Sequence, residues 1–210
     1  MKPLSFSELT LWERNPSEWS RRYLLGIKDK PTPSMIRGKD IHAGIEEEGP
    51  TRYEDPTAYF PDEVRANRRI VGEIRFYLTN VLEDTKYEVK VETEIDSIPT
   101  IGFWDAYAEN TQHLYEFKTT RGYPANYVAG YREQLSFYTL QHQSLYNVTP
   151  KHTTLIVGST TKGNTMKFEI TLEPEELAEM RHRIRYMWSS LGEDKQLLRL
   201  ETIYDKAGNS

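Results

Sequence analysis

The sequence predicts a layered α/β domain with a mixed central sheet and an N-terminal helical portion. Two observations carry this expectation. Apolar residues recur at helical spacing up to about residue 82 and alternate strictly from Tyr87 onward. The later elements then follow in the order strand, strand, strand, helix, strand, strand, helix. One domain over residues 1–200 accommodates them all, with a helical part at 1–85, a sheet core at 86–172 and a C-terminal helix at 173–200. A polar tail at 201–210 is expected to fray.

Each element has a local reason. Ser5 and Glu8 have the spacing of a capping box ahead of Leu9, Leu11 and Trp12. Asn15-Pro16 supplies a cap and a first-turn proline for a second helix carrying Trp19, Tyr23 and Leu24, and Gly26 ends it. Ser34–Glu48 places Ile41 and Ile45 one turn apart and carries His42. After a proline-rich loop over Gly49–Pro61, Asp62–Leu82 lines up Val64, Val71, Ile74, Leu78 and Val81. Tyr87–Ile95 alternates apolar and charged residues as a half-buried strand does. Ile101–Ala108 and Leu114–Thr119 follow as strands joined around Asn110-Thr111. Pro124–Tyr146 is helical, Thr153–Val157 and Met166–Leu172 are strands, and Pro174 starts a final helix with Leu177, Met180, Ile184, Trp188 and Leu191 facing inward.

Composition narrows the function. The 210 residues carry 27 basic and 32 acidic side chains, a net charge of −5, so a uniformly basic nucleic-acid coat is excluded while a local basic cleft is not. With 14 Tyr, 4 Trp and 7 Phe a substantial core is expected. The absence of cysteine removes disulfides, thiol nucleophiles, cysteine-based zinc sites and iron–sulfur clusters together. No 18-residue apolar run and no secretory leader occurs, so the expectation is a soluble, cytoplasmic protein without a membrane segment.

The chemistry concentrates in Gly102-Phe-Trp-Asp105 and Leu114-Tyr-Glu116-Phe117-Lys118-Thr. Residues two apart on a strand share a face, so Glu116 and Lys118 point the same way and Phe117 points into the opposite layer. If the hairpin closes at Asn110-Thr111, Asp105 lies directly across from Glu116, with Cβ atoms ~4.5–5.5 Å apart; a longer loop would shift that register. Two carboxylates so close repel unless a divalent cation compensates. A neighbouring lysine could hold a metal-activated water or stabilise phosphate charge. An Asp, a Glu and a Lys on a hairpin are more often a solvated face with a surface ion pair. The apolar flanks of Glu116 weigh against that here.

Together these residues resemble the catalytic core of the PD-(D/E)XK nucleases, and more closely the RecB-like exonuclease branch. Ser5-Phe-Ser-Glu-Leu9 is similar to the Ser-x-Ser-x-Leu segment of that branch, Gly38-Lys-Asp-Ile-His42 to its Gly-x-x-x-His helix, and Gln134-Leu-Ser-Phe-Tyr138 to its Gln-x-x-x-Tyr helix. The motifs run in order from Ser5 to Tyr138. The resemblance implies a restriction-endonuclease-like three-layer fold and hydrolysis of DNA phosphodiester bonds with one or two Mg²⁺ or Mn²⁺ ions. It implies His42, Asp105, Glu116 and the Phe117 carbonyl as metal ligands, and Lys118 as the group that positions the attacking water. Gln134 would contact the lysine or the nucleic-acid backbone. Tyr138 would touch nucleic acid or pack. Glu92 or Glu94 would add an acidic group, and alternation does not choose between them. The same resemblance implies an exonuclease acting on single-stranded or frayed ends in repair, recombination or phage- and CRISPR-type DNA processing, with a helicase or recombination protein as a candidate partner. Iron–sulfur members of the branch carry cysteines; with none here, the cluster is excluded and packing of Trp12, Trp19 and Trp188 would join the chain's two ends.

Tyr123, Tyr127 and Tyr131 could stack on unpaired bases or simply pack. One of the arginine clusters, at 21–22, 65–69 or 181–185, could line a phosphate track, although charge runs on helices are mostly solvated faces. Gly158-Ser-Thr-Thr-Lys-Gly163-Asn imitates a phosphate-binding loop but has Asn164 where lysine is required, so a hairpin turn is expected. The rival functions are a structure-selective endonuclease on the same core and a nuclease-derived binding subunit that has lost activity. The intact Asp105, Glu116 and Lys118 argue against the second.

Overall fold

A computed structural model describes residues 2–27, 29–46, 61–81, 85–122, 125 and 128–207. The first helix, α1 (Phe6–Arg14), is capped by Ser5, whose hydroxyl accepts the Glu8 amide at 3.2 Å. The Glu8 carboxylate binds elsewhere: its Oε1 accepts the Trp19 indole N–H at 3.3 Å. That bond ties α1 to α2 (Pro16–Trp19), which Asn15 caps at 3.0 Å and which widens into a π-helical turn over Ser20–Leu24. α3 (Pro33–Glu46) and α4 (Pro61–Val81) follow close to their expected bounds.

The sheet contains β1 (Thr85–Ile95), β2 (Ile98–Ala108), β3 (His113–Thr120), β4 (His152–Ser159) and β5 (Asn164–Glu169), in that spatial order. All neighbours are antiparallel except β3 and β4, which the crossover helix α5 (Val128–Tyr146) makes parallel. α6 (Pro174–Ala207) continues through most of the segment expected to fray.

Three layers result. On one side, Leu9 and Trp19 of the first helices, Leu135 and Phe137 of α5 and Ile184 of α6 pack with Val91, Trp104, Leu114 and Leu155 of the sheet. On the other, Ile41 and Ile45 of α3 and Ile70, Ile74 and Leu78 of α4 cover Ala106, Tyr115, Phe117 and Ile156. The two ends of the chain meet where Trp12 packs edge-on against Tyr186, ring centroids 5.7 Å apart, and Arg183 grips Glu13 at 2.6 and 2.8 Å. Trp19 is buried in that core and Trp188 packs against it. The imitation phosphate loop is the β4–β5 turn: Gly163 takes φ +66°, and Gly158 lies within β4, where a Cβ would stand 2.7 Å from Ile70 Cγ2 of α4.

Two features of the sheet depart from regular alternation, and both position the site. The β2–β3 pairs are Ala106–Tyr115, Tyr107–Leu114 and Ala108–His113. That is the expected register, closed by a turn over residues 109–112 rather than two residues alone. Beyond Ala106 the strands part, and Leu4 bonds instead to β2, through Pro99 O and the Ile101 amide. Second, β1 changes face at Glu88, which has φ +45°. Tyr87 and its partner Ala106 join the α3/α4 core, whereas Val89 and its partner Trp104 join the α5/α6 core. A single left-handed residue turns the strand over, so the alternation expected to run unbroken from Tyr87 to Ile95 starts only at Val89.

Candidate metal centre

The fork where β2 leaves β3 holds the acidic residues. Asp105 is the first residue past the last β2–β3 pair, and its Oδ2 accepts the Phe117 amide at 2.6 Å, in place of a strand partner. Its Oδ1 lies 3.4 Å from His42 Nδ1, and that nitrogen is also 3.4 Å from Glu88 Oε1. α3 delivers the histidine; β1, whose register sets Glu88 opposite Asp105, delivers the glutamate. One ligand atom from each of His42, Glu88 and Asp105 falls within 4.8 Å of the others. A small divalent cation holds its ligands at ~2.1 Å and so spans up to ~4.2 Å between opposite donors, close to this spacing.

Glu116 stands beside this cluster. It is fully buried, Lys118 Nζ is bonded to its Oε1, and its Oε2 has no hydrogen-bond partner. Lys118 lies 5.7 Å from the centre of the Tyr131 ring on α5. An ionised buried oxygen without a donor is costly. The titration behaviour of the site reflects this. Burial, and then the charge of Asp105, push Glu116 up to about 8 despite the lysine beside it. Burial also opposes the charge of Asp105, but the hydrogen bond and charge of His42, with Lys118 and the Phe117 amide, hold its carboxyl below the ordinary range. For His42, burial is outweighed by Asp105 and Glu88, which raise it to about 10. Lys118 is likewise raised, because Glu116 and Asp105 outweigh its desolvation, so it remains a cation rather than a base.

A fourth carboxyl completes the arrangement. Glu46 lies one turn beyond His42 on α3; burial raises its pKa first, followed by the charge of Glu88 and a hydrogen bond with it. Four carboxyl groups thus face one lysine and one histidine, and added positive charge would relieve them. The donor set of carboxylate oxygens and imidazole nitrogen suits a divalent cation.

The expected residues are placed as follows. His42, Asp105, Glu116, Phe117 and Lys118 come together at the fork, and the Phe117 ring lies edge-on to His42 at 6.1 Å. Gln134 does not reach Lys118 as its hydrogen-bond partner; its Nε2 donates to the Tyr138 hydroxyl at 2.9 Å. Tyr138 is buried against Gly102, and burial with the Glu116 and Asp105 charges raises its pKa, so it borders the acidic cluster. Gly102 is required by this contact: a Cβ there would meet Gln141 Oε1 at 2.4 Å and Tyr138 Cε1 at 3.1 Å. Tyr123 and Tyr127 lie outside the described residues. Neither Glu92 nor Glu94 joins the cluster: they pair with Ile101 and Pro99, four and six residues along β2 from Asp105. Glu88 takes that place. Its signal was the two-residue turn Asp96-Ser97, both with positive φ, which fixes the β1–β2 register and sets Glu88 across from Asp105. Glu46 had a weaker signal, its spacing of four from His42.

No family model and no curated protein sequence matches this chain. Among solved structures, one from Eubacterium rectale, described as a "Putative exonuclease", superposes with a TM-score of 0.64 at 10% identity, covering 87% of this chain and 77% of that one. The structure of a protein designated SSO0001 gives a TM-score of 0.41 at 15% identity over 86% of this chain and 83% of that one. The first likeness shows a shared fold, which in this chain is a three-layer α/β domain built on a five-stranded mixed sheet. No helix among the described residues is long and apolar enough to cross a membrane.

Proposed function

We propose that this protein is a metal-dependent DNA nuclease of the PD-(D/E)XK superfamily, RecB-like branch, hydrolysing phosphodiester bonds from single-stranded or frayed ends. The observation that carries the reading is the fork itself: a fully buried Glu116 with an unpartnered oxygen, beside Lys118 and an Asp105–His42–Glu88 cluster. Such a set is poorly compensated without a cation and has the donors to hold one.

His42, Glu88, Asp105 and Glu116, with the Phe117 carbonyl, would hold Mg²⁺ or Mn²⁺. When bound, the ion supplies charge to a phosphoryl oxygen and acidity to a coordinated water. Lys118, kept cationic by its two carboxylate neighbours, orients the attacking water and offsets the charge that builds on phosphate. Gln134 donates to the Tyr138 oxygen, which leaves the phenolic proton available to the site. Tyr131, with its ring centre 5.7 Å from Lys118 Nζ, would contact a nucleotide held at the lysine. No ATP-binding loop is present among the described residues, since the segment that imitates one is a hairpin turn; duplex opening would come from frayed substrate or a helicase partner.

The test is digestion of end-labelled and circular DNA, single- and double-stranded, with Mn²⁺ or Mg²⁺. Degradation of linear single strands with survival of closed circles is expected. Rapid cutting of closed circles would replace the exonuclease reading by an endonuclease on the same core, and no cleavage of any substrate would refute the reading.

A further inference from the structure

The β1–β2 ribbon extends past the fork as a two-stranded arm. α5 covers one face of it: Gly102 abuts Gln141 and Tyr138, the Trp104 indole donates to Gln141, and Thr93 bonds Ser144. The other face carries Glu88, Lys90, Glu92 and Glu94 on β1 and Phe103 and Asp105 on β2. In the register, Lys90 is opposite Phe103, and Glu88 and Asp105 lie between the pairs Tyr87–Ala106 and Val89–Trp104. Phe103 is 48% exposed, in a domain that buries Trp104, Tyr115, Phe117 and Phe137 almost completely. It therefore presents an open aromatic ring one cross-strand pair, about 7 Å, from the candidate metal centre and on the same face.

From this we infer that Phe103 is an end-recognition platform: it stacks on the terminal unpaired base of a DNA strand whose adjoining phosphate lies at the metal centre. The inference rests on the nuclease reading above. Three features of the arm favour a terminal base over another occupant. A planar apolar ring accepts any base by its π-face without sequence preference. Lys90, opposite the ring, supplies a cation to this face. Among the described residues its ion pair is a surface one, with Glu92 at 2.6 Å and both partners 54% exposed, so it can turn to a phosphate at small cost. Beyond the ring, Glu92 and Glu94 occupy the next positions on the same face, and their charges oppose a phosphate backbone running further along the arm. The arm thus admits a strand end up to Phe103 and disfavours its continuation, which is the geometry an enzyme working from termini needs.

The experiment uses Lys118→Met, with Mn²⁺, to allow binding without cleavage. A single-stranded oligodeoxynucleotide carries 2-aminopurine either at its terminus or at an internal position. Binding should quench the terminal probe more than the internal one. Adding Phe103→Ala should abolish the extra quenching and weaken binding at least about five-fold, and Phe103→Trp should restore both. Unchanged terminal quenching and affinity in Phe103→Ala, at an unchanged melting temperature, would overturn the inference. Cleavage by the protein with Lys118 intact is measured in parallel. If it cleaves and only the Phe103 dependence is missing, the platform alone falls; if it neither binds nor cleaves DNA, the nuclease reading falls and takes the platform with it.

Discussion

Replacing Glu116 with Gln should stabilise the metal-free protein and abolish its response to a divalent cation. The carboxyl is fully buried, one oxygen facing Lys118 and the other unpartnered. Burial and the Asp105 charge raise it from 4.5 to about 8. The unfolded chain therefore loses this proton near pH 4.5 while the folded chain keeps it until about pH 8. Because the folded state binds more protons across that window, its stability is full below the window and drains as pH climbs through it. The span corresponds to about 5 kcal/mol. Gln keeps the neutral form at every pH, and Lys118 beside an amide instead of a carboxylate gives back part, so a gain of about 3 kcal/mol is expected at pH 9. A domain of this size gains about 2–4 °C per kcal/mol, so the variant should melt roughly 6–12 °C above the parent at pH 9 in EDTA, and close to it at pH 5. Mn²⁺ at a hundred times its Kd should stabilise the parent by about 2.7 kcal/mol, and the variant little if at all. Calorimetry with and without metal reads both effects. A variant that melts below the parent at pH 9 and keeps the full Mn²⁺ shift would refute the assignment of this carboxyl to a cation.

Glu88→Gly removes a candidate ligand and also the strain of φ +45° on a non-glycine residue, so stability should stay within about 1 kcal/mol while Mn²⁺ affinity drops ten-fold or more; a large loss of melting temperature with unchanged Mn²⁺ binding would make Glu88 structural. Lys118→Met should lower kcat by about a hundred-fold or more while DNA affinity changes little, and an effect confined to KM would mark Lys118 as a phosphate contact only. Gly158→Ala drives a methyl group to 2.7 Å from Ile70 Cγ2 and should cost about 1–3 kcal/mol in unfolding experiments, without changing the activity of the folded fraction; an unaltered melting temperature would show that α4 can move off β4 freely.

The sequence by itself determined the local pieces of this site. Caps at Ser5 and Asn15, the period switch near Tyr87 and the β2–β3 register all depend on residues a few positions apart, so short-range spacing reveals them. The hairpin register brings Asp105 beside the Glu116–Lys118 strand, and the resemblance to a known motif set drew His42 to the same place. What only the tertiary structure decided is which further groups meet there and which way each faces. Glu88 enters because one left-handed residue turns β1 over, a choice that no alternation pattern encodes when the residues on both sides are Tyr87 and Val89. Glu46 enters because it lies one turn beyond His42 on α3, and His42 meets Glu88, 46 residues further along the chain. Gly102 reads in the sequence as part of a motif, but its cause is the approach of Gln141 and Tyr138 from a helix packed against the sheet. Burial decides the chemistry last: Glu116 and Lys118 look like a surface ion pair on paper, and only the tertiary burial of Glu116 leaves one of its oxygens unpartnered and raises its pKa.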